Sequence, residues 1–275
     1  MVTGKEVRLQ KIWKHRRAVI VPFDHGGFSG PQPGIEDLVR LTERVARTQA
    51  DGILVAGGML QHIAPAVGTL GIMARLDGGF TKFAREVTDY QQTMTVQDAM
   101  ALGADAGIVF TLIGTPVESA SIHRLGVNAG DAMRAGLPLA AEVIPPSLLN
   151  NHFGMQIFPK PARGASVNEE IAQTIRIGAE AGADIIKTRY SGDADSFRRA
   201  VKSAHARVIV AGGPLSSGSD EAVLELAAEC VHAGADGIVF GRNVWQHPRM
   251  EKMLAALCAI VHEEETVARA RKLLR

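Results

Sequence analysis

The fold class this sequence predicts is α/β, a closed (β/α)8 barrel of parallel strands each followed by a helix. Three observations predict it. The first is alternation. Short β-branched runs at Ala18–Phe23, Gly52–Ala56, Gly71–Leu76, Ala106–Thr111, Pro138–Ile144, Asp184–Thr188, Arg207–Ala211 and Gly237–Phe240 are separated by helix-length amphipathic stretches. Eight is the barrel number. Continuously apolar runs such as Val19-Ile20-Val21-Pro22 suit strands covered on both faces. The second is punctuation. Ala50-Asp51-Gly52, Gly103-Ala104-Asp105, Gly182-Ala183-Asp184 and Gly234-Ala235-Asp236 close a helix and open strands 2, 4, 6 and 8. A leading Gly supplies the left-handed residue that ends a helix. The third is spacing. Asp51 to Asp105 is 54 residues, Asp105 to Asp184 is 79 and Asp184 to Asp236 is 52, so two βα units take roughly the same length except in the middle. The excess falls in the Pro/Asn/Gly-rich stretch Pro145–Ser166, a long loop after strand 5, on the face where barrel enzymes build active sites. An open doubly wound sheet is the alternative architecture.

Ahead of strand 1, Lys5, Arg8, Lys11, Lys14, Arg16 and Arg17 surround Trp13 and read as an amphipathic lead-in helix, with a partner surface as the alternative. The 275 residues, 46 % hydrophobic and 21 % charged, exclude a disordered or fibrous chain and suit a single barrel domain over residues 1–275. Lys+Arg 30 against Asp+Glu 29 leaves a net charge of +1, so no overall field draws the chain to nucleic acid or an anionic membrane. Cys230 and Cys258, without a CxxC spacing, exclude a disulfide framework and a cysteine-rich zinc site. No apolar run is long enough to span a bilayer, and the expected location is the cytoplasm.

Chemistry in this fold sits at the C-terminal strand ends. Lys187 stands out because it lies inside strand 6, where an ammonium is costly to bury unless paired or deprotonated. A free amine is the nucleophile that condenses with a ketone. The plainer reading is a salt bridge to Glu142 or Asp24. Asp24, closing strand 1, can act as general base, hold a substrate hydroxyl, or ligate a metal with His25, Asp77 and Glu142. His25, before Gly26-Gly27, can instead simply cap a turn. Gly212-Gly213 and Gly241-Arg242, after strands 7 and 8, let backbone approach a phosphate and add a guanidinium fork, with Ser216, Ser217 and Ser219 downstream. Ordinary turn chemistry is their alternative. Gly57-Gly58 and Gly78-Gly79 read as tight turns or substrate access.

The segments Arg17-Ala18-Val19-Ile20-Val21-Pro22-Phe23-Asp24-His25-Gly26, Gly182-Ala183-Asp184-Ile185-Ile186-Lys187-Thr188-Arg189-Tyr190-Ser191-Gly192-Asp193 and Ile238-Val239-Phe240-Gly241-Arg242-Asn243-Val244-Trp245-Gln246 resemble the archaeal-type class I fructose-bisphosphate aldolase group. That group includes aminodideoxyheptulosonate synthases and the autoinducer-2 phosphate thiolase. The resemblance runs in order from about residue 8 to 260. It implies that Lys187 forms a Schiff base with a small phosphorylated keto substrate. It implies that Asp24 moves a proton or holds a hydroxyl, and that Gly212, Gly213, Gly241 and Arg242 bind phosphate. It also implies a homo-oligomer, and a reaction needing neither redox cofactor nor metal.

One departure matters. The group ends strand 5 with Tyr-Pro-Arg-Gly, whose tyrosine is an acid/base. Here Ala141-Glu142-Val143-Ile144-Pro145-Pro146 puts Ile144 in its place, and Phe158–Gly164 only faintly echoes the motif. Glu142 shares the parity of Ile144 and should point into the barrel, as a replacement acid/base or as an ion pair with Arg75 or Lys187. Tyr190 is a second candidate, or packs under a loop. His152, in the inserted loop, can fold over the site but reads more readily as solvated. Tyr90 and Tyr190 are the chain's two tyrosines. The expected function is an aldolase-type enzyme that makes or breaks a carbon–carbon bond. The alternatives are transaldolase- or thiolase-type transfer, a non-catalytic sugar-phosphate-binding barrel, and a metal-dependent barrel enzyme.

Overall fold

The computed structural model describes residues 3–160, 164–213 and 219–275. Eight parallel strands close into a barrel: β1 Ala18–Pro22, β2 Gly52–Ala56, β3 Gly71–Arg75, β4 Ala106–Phe110, β5 Leu139–Glu142, β6 Ile185–Thr188, β7 Arg207–Ala211 and β8 Gly237–Val239. Each pairs with its sequence neighbours, and β8 returns to β1 with Ala18 opposite Gly237. Closure satisfies every strand edge, which an open sheet would leave exposed. The eight predicted runs become these eight strands, shortened by one or two residues at several ends. Ile144 and Phe240 lie past the ends of β5 and β8, where the chain turns outward from the ladder.

The helix α1 spans Gly4–Ile12 and starts at a Thr3/Glu6 capping box. The outer helices are α2 Leu38–Ala46, α3 Leu60–Ile63, α4 Val96–Ala101, α5 Glu118–Ala135, α6 Val167–Glu180, α7 Ala194–Ala204, α8 Asp220–His232 and α9 Met250–Glu263. Their apolar faces and the outward strand residues make the main core, which holds Val19, Val55, Ala141, Ile186 and Leu257. Gly103, Gly182 and Gly234 take the left-handed conformation expected of them, with φ of 89°, 102° and 92°. None of the helices among the described residues is long and apolar enough to cross a membrane.

The lead-in helix plugs the N-terminal mouth. Ile12 and Trp13 are buried with Ile20, Leu54, Met73, Ile108, Ile185 and Val239 inside the barrel, and Trp13 Nε1 donates to the Asp236 carbonyl. Basic side chains of the lead-in segment meet the punctuating aspartates: Lys5 pairs with Asp184 at 2.7 Å and Lys11 with Asp105 at 2.9 Å, and His15 Nδ1 lies 3.1 Å from Asp51. Each of the four aspartates also accepts a strand N–H through its side chain: Val19 to Asp51, Ile72 to Asp105, Leu139 to Asp184, Val208 to Asp236, at 2.8–3.0 Å. The repeated Asp therefore stitches strand to strand, a role that adds to the punctuation read from sequence.

At the other mouth the excess after strand 5 forms a 3-10 turn Pro146–Leu148 and a short helix Leu149–Phe153. The stretch after β3 forms a two-stranded ribbon, Asp77–Gly78 against Gln91–Gln92. These excursions build an aromatic cluster over the mouth, with Phe80, Tyr90, Phe110, Ile144, Phe153 and Phe158 buried together.

Candidate active site

The pairing of β5 with β6 sets Glu142 opposite Lys187, and both side chains point inward. Lys187 is buried, with Nζ 2.7 Å from Glu142 Oε1. Arg75, at the end of β3, reaches across the barrel. It donates to Asp24 Oδ2 through Nη2 at 2.9 Å and Nε at 3.2 Å, holds Glu142 Oε2 through Nη2, and lies 3.5 Å from Asp77. Of the two expectations for Glu142, the ion pair is the one seen, and it is made with Arg75 and Lys187 at once. His152 is brought over the site rather than into solvent: its Nε2 is 3.1 Å from Glu142 Oε1. The short helix that carries it packs down through Leu149 and Phe153, a tertiary contact with no local periodic signal.

Burial raises the cost of every charge here, and the cations decide which carboxylates stay ionised. For Glu142, desolvation pushes the pKa up, but Lys187, then Arg75 and His152, hold it well below the ordinary range. Asp24 is likewise lowered, as Arg75, Lys187 and His25 outweigh its desolvation. Asp77 goes the other way: desolvation raises it to about 6 against Arg75 and the Phe110 N–H. Desolvation drives His25 down to about 4 despite Asp24, with Arg242 and Lys187 adding to the fall, so it is neutral at pH 7. His152 is lowered by burial too, although Glu142 pulls upward. Glu142 Oε1 accepts no well-directed hydrogen bond, and Nδ1 of His25 and of His152 are buried without partners. Those atoms face a cavity lined by Asp24, His25, Arg75, Glu142, His152 and Lys187.

His25 stands at the start of the short helix Gly26–Ser29, where its carbonyl accepts the Ser29 N–H but its side chain makes no capping bond; its ring stands edge-on to Trp245 in the cavity wall. Gly241 has little room for a side chain, because a Cβ would stand 3.0 Å from both His25 Cε1 and Pro22 Cγ. Gly213 and Arg242 line the same cavity, whereas Gly212 is held close by the Phe240 ring behind it. Ser216 and Ser217 lie outside the described residues, as do Pro161–Arg163 of the faint strand-5 echo; Ser219 begins α8. Gly57 and Gly79 turn the chain tightly and line the cavity as well.

Tyr190 is a correction. It leaves β6 on the outer side and its ring packs T-shaped on Phe197 at 5.3 Å, in the helix layer. The tyrosine that reaches the cavity is Tyr90, carried in by the ribbon after β3. Its hydroxyl donates to Asp77 at 3.4 Å, and desolvation and the Asp77 charge keep the phenol protonated. Nothing periodic in residues 77–92 marks that position, although a count of two tyrosines narrowed the choice. The four residues offered as metal ligands do not form a group: among the described residues the His/Asp trio with ligand atoms within 4.8 Å is His15, Asp51 and His262, at the opposite mouth.

A model of the DeoC/LacD family aldolases matches residues 18–247. Among curated relatives, the chain is 33 % identical to a 2-amino-3,7-dideoxy-D-threo-hept-6-ulosonate synthase of Halobacterium salinarum, over 95 % of this chain and 92 % of that one. It is 28 % identical to a 3-hydroxy-5-phosphonooxypentane-2,4-dione thiolase of Yersinia pseudotuberculosis, over 98 % and 86 %. Among solved structures it is similar to a Schiff-base-forming fructose-1,6-bisphosphate aldolase, at 26 % identity and a TM-score of 0.82 over 94 % of this chain and 99 % of that one. It is also similar, at the same identity and a TM-score of 0.81, to an archaeal fructose-1,6-bisphosphate aldolase with its catalytic lysine covalently bound to the carbinolamine intermediate, over 94 % and 99 %.

Proposed function

Because the chain belongs to the DeoC/LacD family of aldolases, we propose that it makes or breaks a carbon–carbon bond in a small phosphorylated keto compound, through an imine on Lys187. The observation that carries this reading is the buried Lys187 Nζ, 2.7 Å from Glu142 and sharing its cavity with Asp24. The free amine adds to the ketone, and loss of water from the carbinolamine leaves an iminium that draws electrons from the neighbouring bond. In the cleavage direction Asp24 takes the proton of the substrate hydroxyl through Oδ1, since its Oδ2 is held by Arg75. The carbon–carbon bond breaks, its electron pair enters the enamine, and an aldehyde departs. Protonation of the enamine carbon and addition of water release the ketone and restore the amine.

Glu142 stands where it can exchange a proton with the amine and the carbinolamine oxygen, and neutral His152 stands behind it. Together they supply the acid/base work that Ile144 cannot do. Tyr90 faces Asp77 and serves the wall. Gly213, Gly241 and Arg242 anchor the phosphate, with Gly212 shaping their loop, so that binding remote from the reacting carbons orients them. Phe28, Phe80, Phe110 and Phe153 line the opposite side, which supports an uncharged partner aldehyde over a second phosphate. Fructose 1,6-bisphosphate is one candidate among several. Transfer to an acceptor, of the transaldol or thiolase kind, is the second reading, favoured by Ile144 in the place of an acid/base. We read the protein as a homo-oligomer, consistent with exposed Val7 and Met133 on helices that meet at Gly4 and Gly136. Light scattering measures that mass.

The decisive experiment is borohydride trapping with dihydroxyacetone phosphate and a panel of keto phosphates, read by intact and peptide mass. An adduct on Lys187 is expected, and the donor that labels best names the substrate half. No adduct in folded, phosphate-binding protein would sink the imine reading. Product formation from the donor compound alone then separates cleavage from transfer.

A further inference from the structure

Arg189 is a cation at the mouth that, among the described residues, no carboxylate neutralises. It follows Lys187 by two residues, just past β6, and its Nε and Nη1 are shut off from solvent with no hydrogen-bond partner among the described residues. Burial lowers its pKa, and no acidic side chain beyond the remote pull of the Cys230 thiol opposes that. Beside it stands Arg242, whose Nε is buried and unpartnered while its Nη2 donates to the His152 carbonyl at 3.0 Å. Arg242 is lowered by its own burial and then by the charge of Arg189. Two half-buried guanidiniums that repel each other, with no carboxylate partner among the described residues, are unfavourable on both counts. Arg75, buried in the same mouth, shows the contrast: Asp24, Asp77 and Glu142 surround it. Gly213, at φ +79°, lies against the Arg189 guanidinium, and a Cβ there would overlap it. The backbone at Gly213 therefore leaves room for the Arg189 guanidinium and for no side chain of its own.

We propose that Arg189 is the principal phosphate-binding side chain of this site, taking two phosphate oxygens on its Nε/Nη1 edge while Arg242 Nε closes the other side. The glycine loops with Arg242 and the downstream serines do not account for Arg189. Arg242 spends one N–H on the His152 carbonyl, so the fork that remains free belongs to Arg189. Planar guanidinium and tetrahedral phosphate match in two parallel N–H···O bonds, and two cations select the dianion over a monoanion. The same Arg242 contact ties the filled anion site to the helix carrying His152. A bound phosphate thereby steadies His152 beside Glu142.

The identity of the molecule bearing the phosphate rests on the aldolase reading; the anion site does not. The test uses R189M and R189K, each first shown to fold by its melting temperature without ligand. Inorganic phosphate should raise the melting temperature of the wild type, and R189M should need at least about 10-fold more phosphate for the same rise. Borohydride trapping with dihydroxyacetone phosphate should slow about 30-fold in R189M, while trapping with unphosphorylated dihydroxyacetone stays within about 2-fold. R189K keeps the charge without the fork and should recover only part of the loss. Unchanged phosphate response and unchanged donor preference in R189M overturn the proposal. If phosphate binding depends on Arg189 but no donor ever labels Lys187, the imine reading fails and the anion site stands.

Discussion

The two mouths of the barrel carry the same kinds of residue, carboxylates facing lysine, arginine and histidine, yet they are finished differently. At the N-terminal mouth, Asp51, Asp105, Asp184 and Asp236 each accept a strand N–H, and three of them also meet a lysine or histidine of the lead-in segment. At the C-terminal mouth, Asp24, Asp77 and Glu142 crowd around Arg75 and Lys187. The buried side-chain atoms without a hydrogen-bond partner, among the described residues, belong to the C-terminal half: His25, Arg75, Thr111, Arg124, Glu142, His152, Arg189 and Arg242. Native structures satisfy nearly all buried polar groups, so a cluster of exceptions needs a cause. A network that is complete holds the barrel shut. One that is incomplete is waiting for a ligand.

Lys187→Met breaks the comparison hardest on the catalytic side. Trapping and turnover should fall to background, a loss of about 10^4-fold or more, because no other group supplies the imine nitrogen. The fold should survive, since methionine fills the buried space and Arg75 still neutralises Glu142. His152→Asn should cost less, about 10- to 100-fold in kcat, with little change in phosphate response. The matching change at the other mouth is Asp51→Ala. It strips the acceptor from Val19 N–H and the partner from both His15 and His262, whose rings stack at 3.9 Å. Urea unfolding should show a loss of about 4 kcal/mol, while turnover per folded molecule stays unchanged. Equal effects on activity from Lys187→Met and Asp51→Ala would erase the distinction between the mouths.

The unequal legibility of these two ends has a physical origin. The barrel is readable because a βα repeat prints itself as period and punctuation: the four Asp triplets recur at intervals that two βα units impose, with one longer interval in the middle. Lys187 and Glu142 were readable because a charge inside an apolar run is a local anomaly, and strand parity alone turns both inward. His152 and Tyr90 were not, since each is carried by an excursion whose path is set by the Phe80, Phe110 and Phe153 packing. Tyr190 misled for the complementary reason. Proximity in sequence to Lys187 says nothing once β6 has ended and the chain turns outward to Phe197. The basic lead-in segment showed its charge but not its use, because the aspartates that receive it lie far along the chain.

Acidity sharpens the comparison within the C-terminal mouth. His25 has its pKa depressed from 6.5 to about 4, chiefly by burial, so the unfolded chain binds that proton more readily and stability falls as pH drops from 6.5. Asp77 has its pKa raised from 3.8 to about 6, again by burial, so the folded chain takes the proton first and stability rises as pH drops through 6. Above pH 4.5 Asp24 and Glu142 remain ionised in both states and add little slope. Between pH 6.5 and 4.5 each of these two opposing slopes is worth about 2–3 kcal/mol and they largely cancel, while the lowered His152 adds to the loss toward acid. His25→Asn should become more stable toward acid, and Asp77→Asn less stable. Parallel pH profiles for the two variants would show that these groups are not the ones titrating.

Lys11→Met is the smallest and most discriminating change, because Lys11 and Lys187 are both lysines paired with an aspartate or glutamate at under 3 Å. Lys11 keeps 62 % of its side-chain surface in water, whereas Lys187 keeps 5 %. In solvent the pair gains little, since water screens it and ordering a long side chain has an entropic cost. The Asp105 carboxylate also retains its Ile72 N–H when the lysine is removed, so no buried group is left unsatisfied. Unfolding free energy should drop by less than about 1 kcal/mol, less still in high salt, with turnover unchanged. A loss of several kcal/mol would mean that α1 holds its mouth mainly by charge. A small loss would place that work on Ile12 and Trp13, which leave water entirely when they enter the barrel.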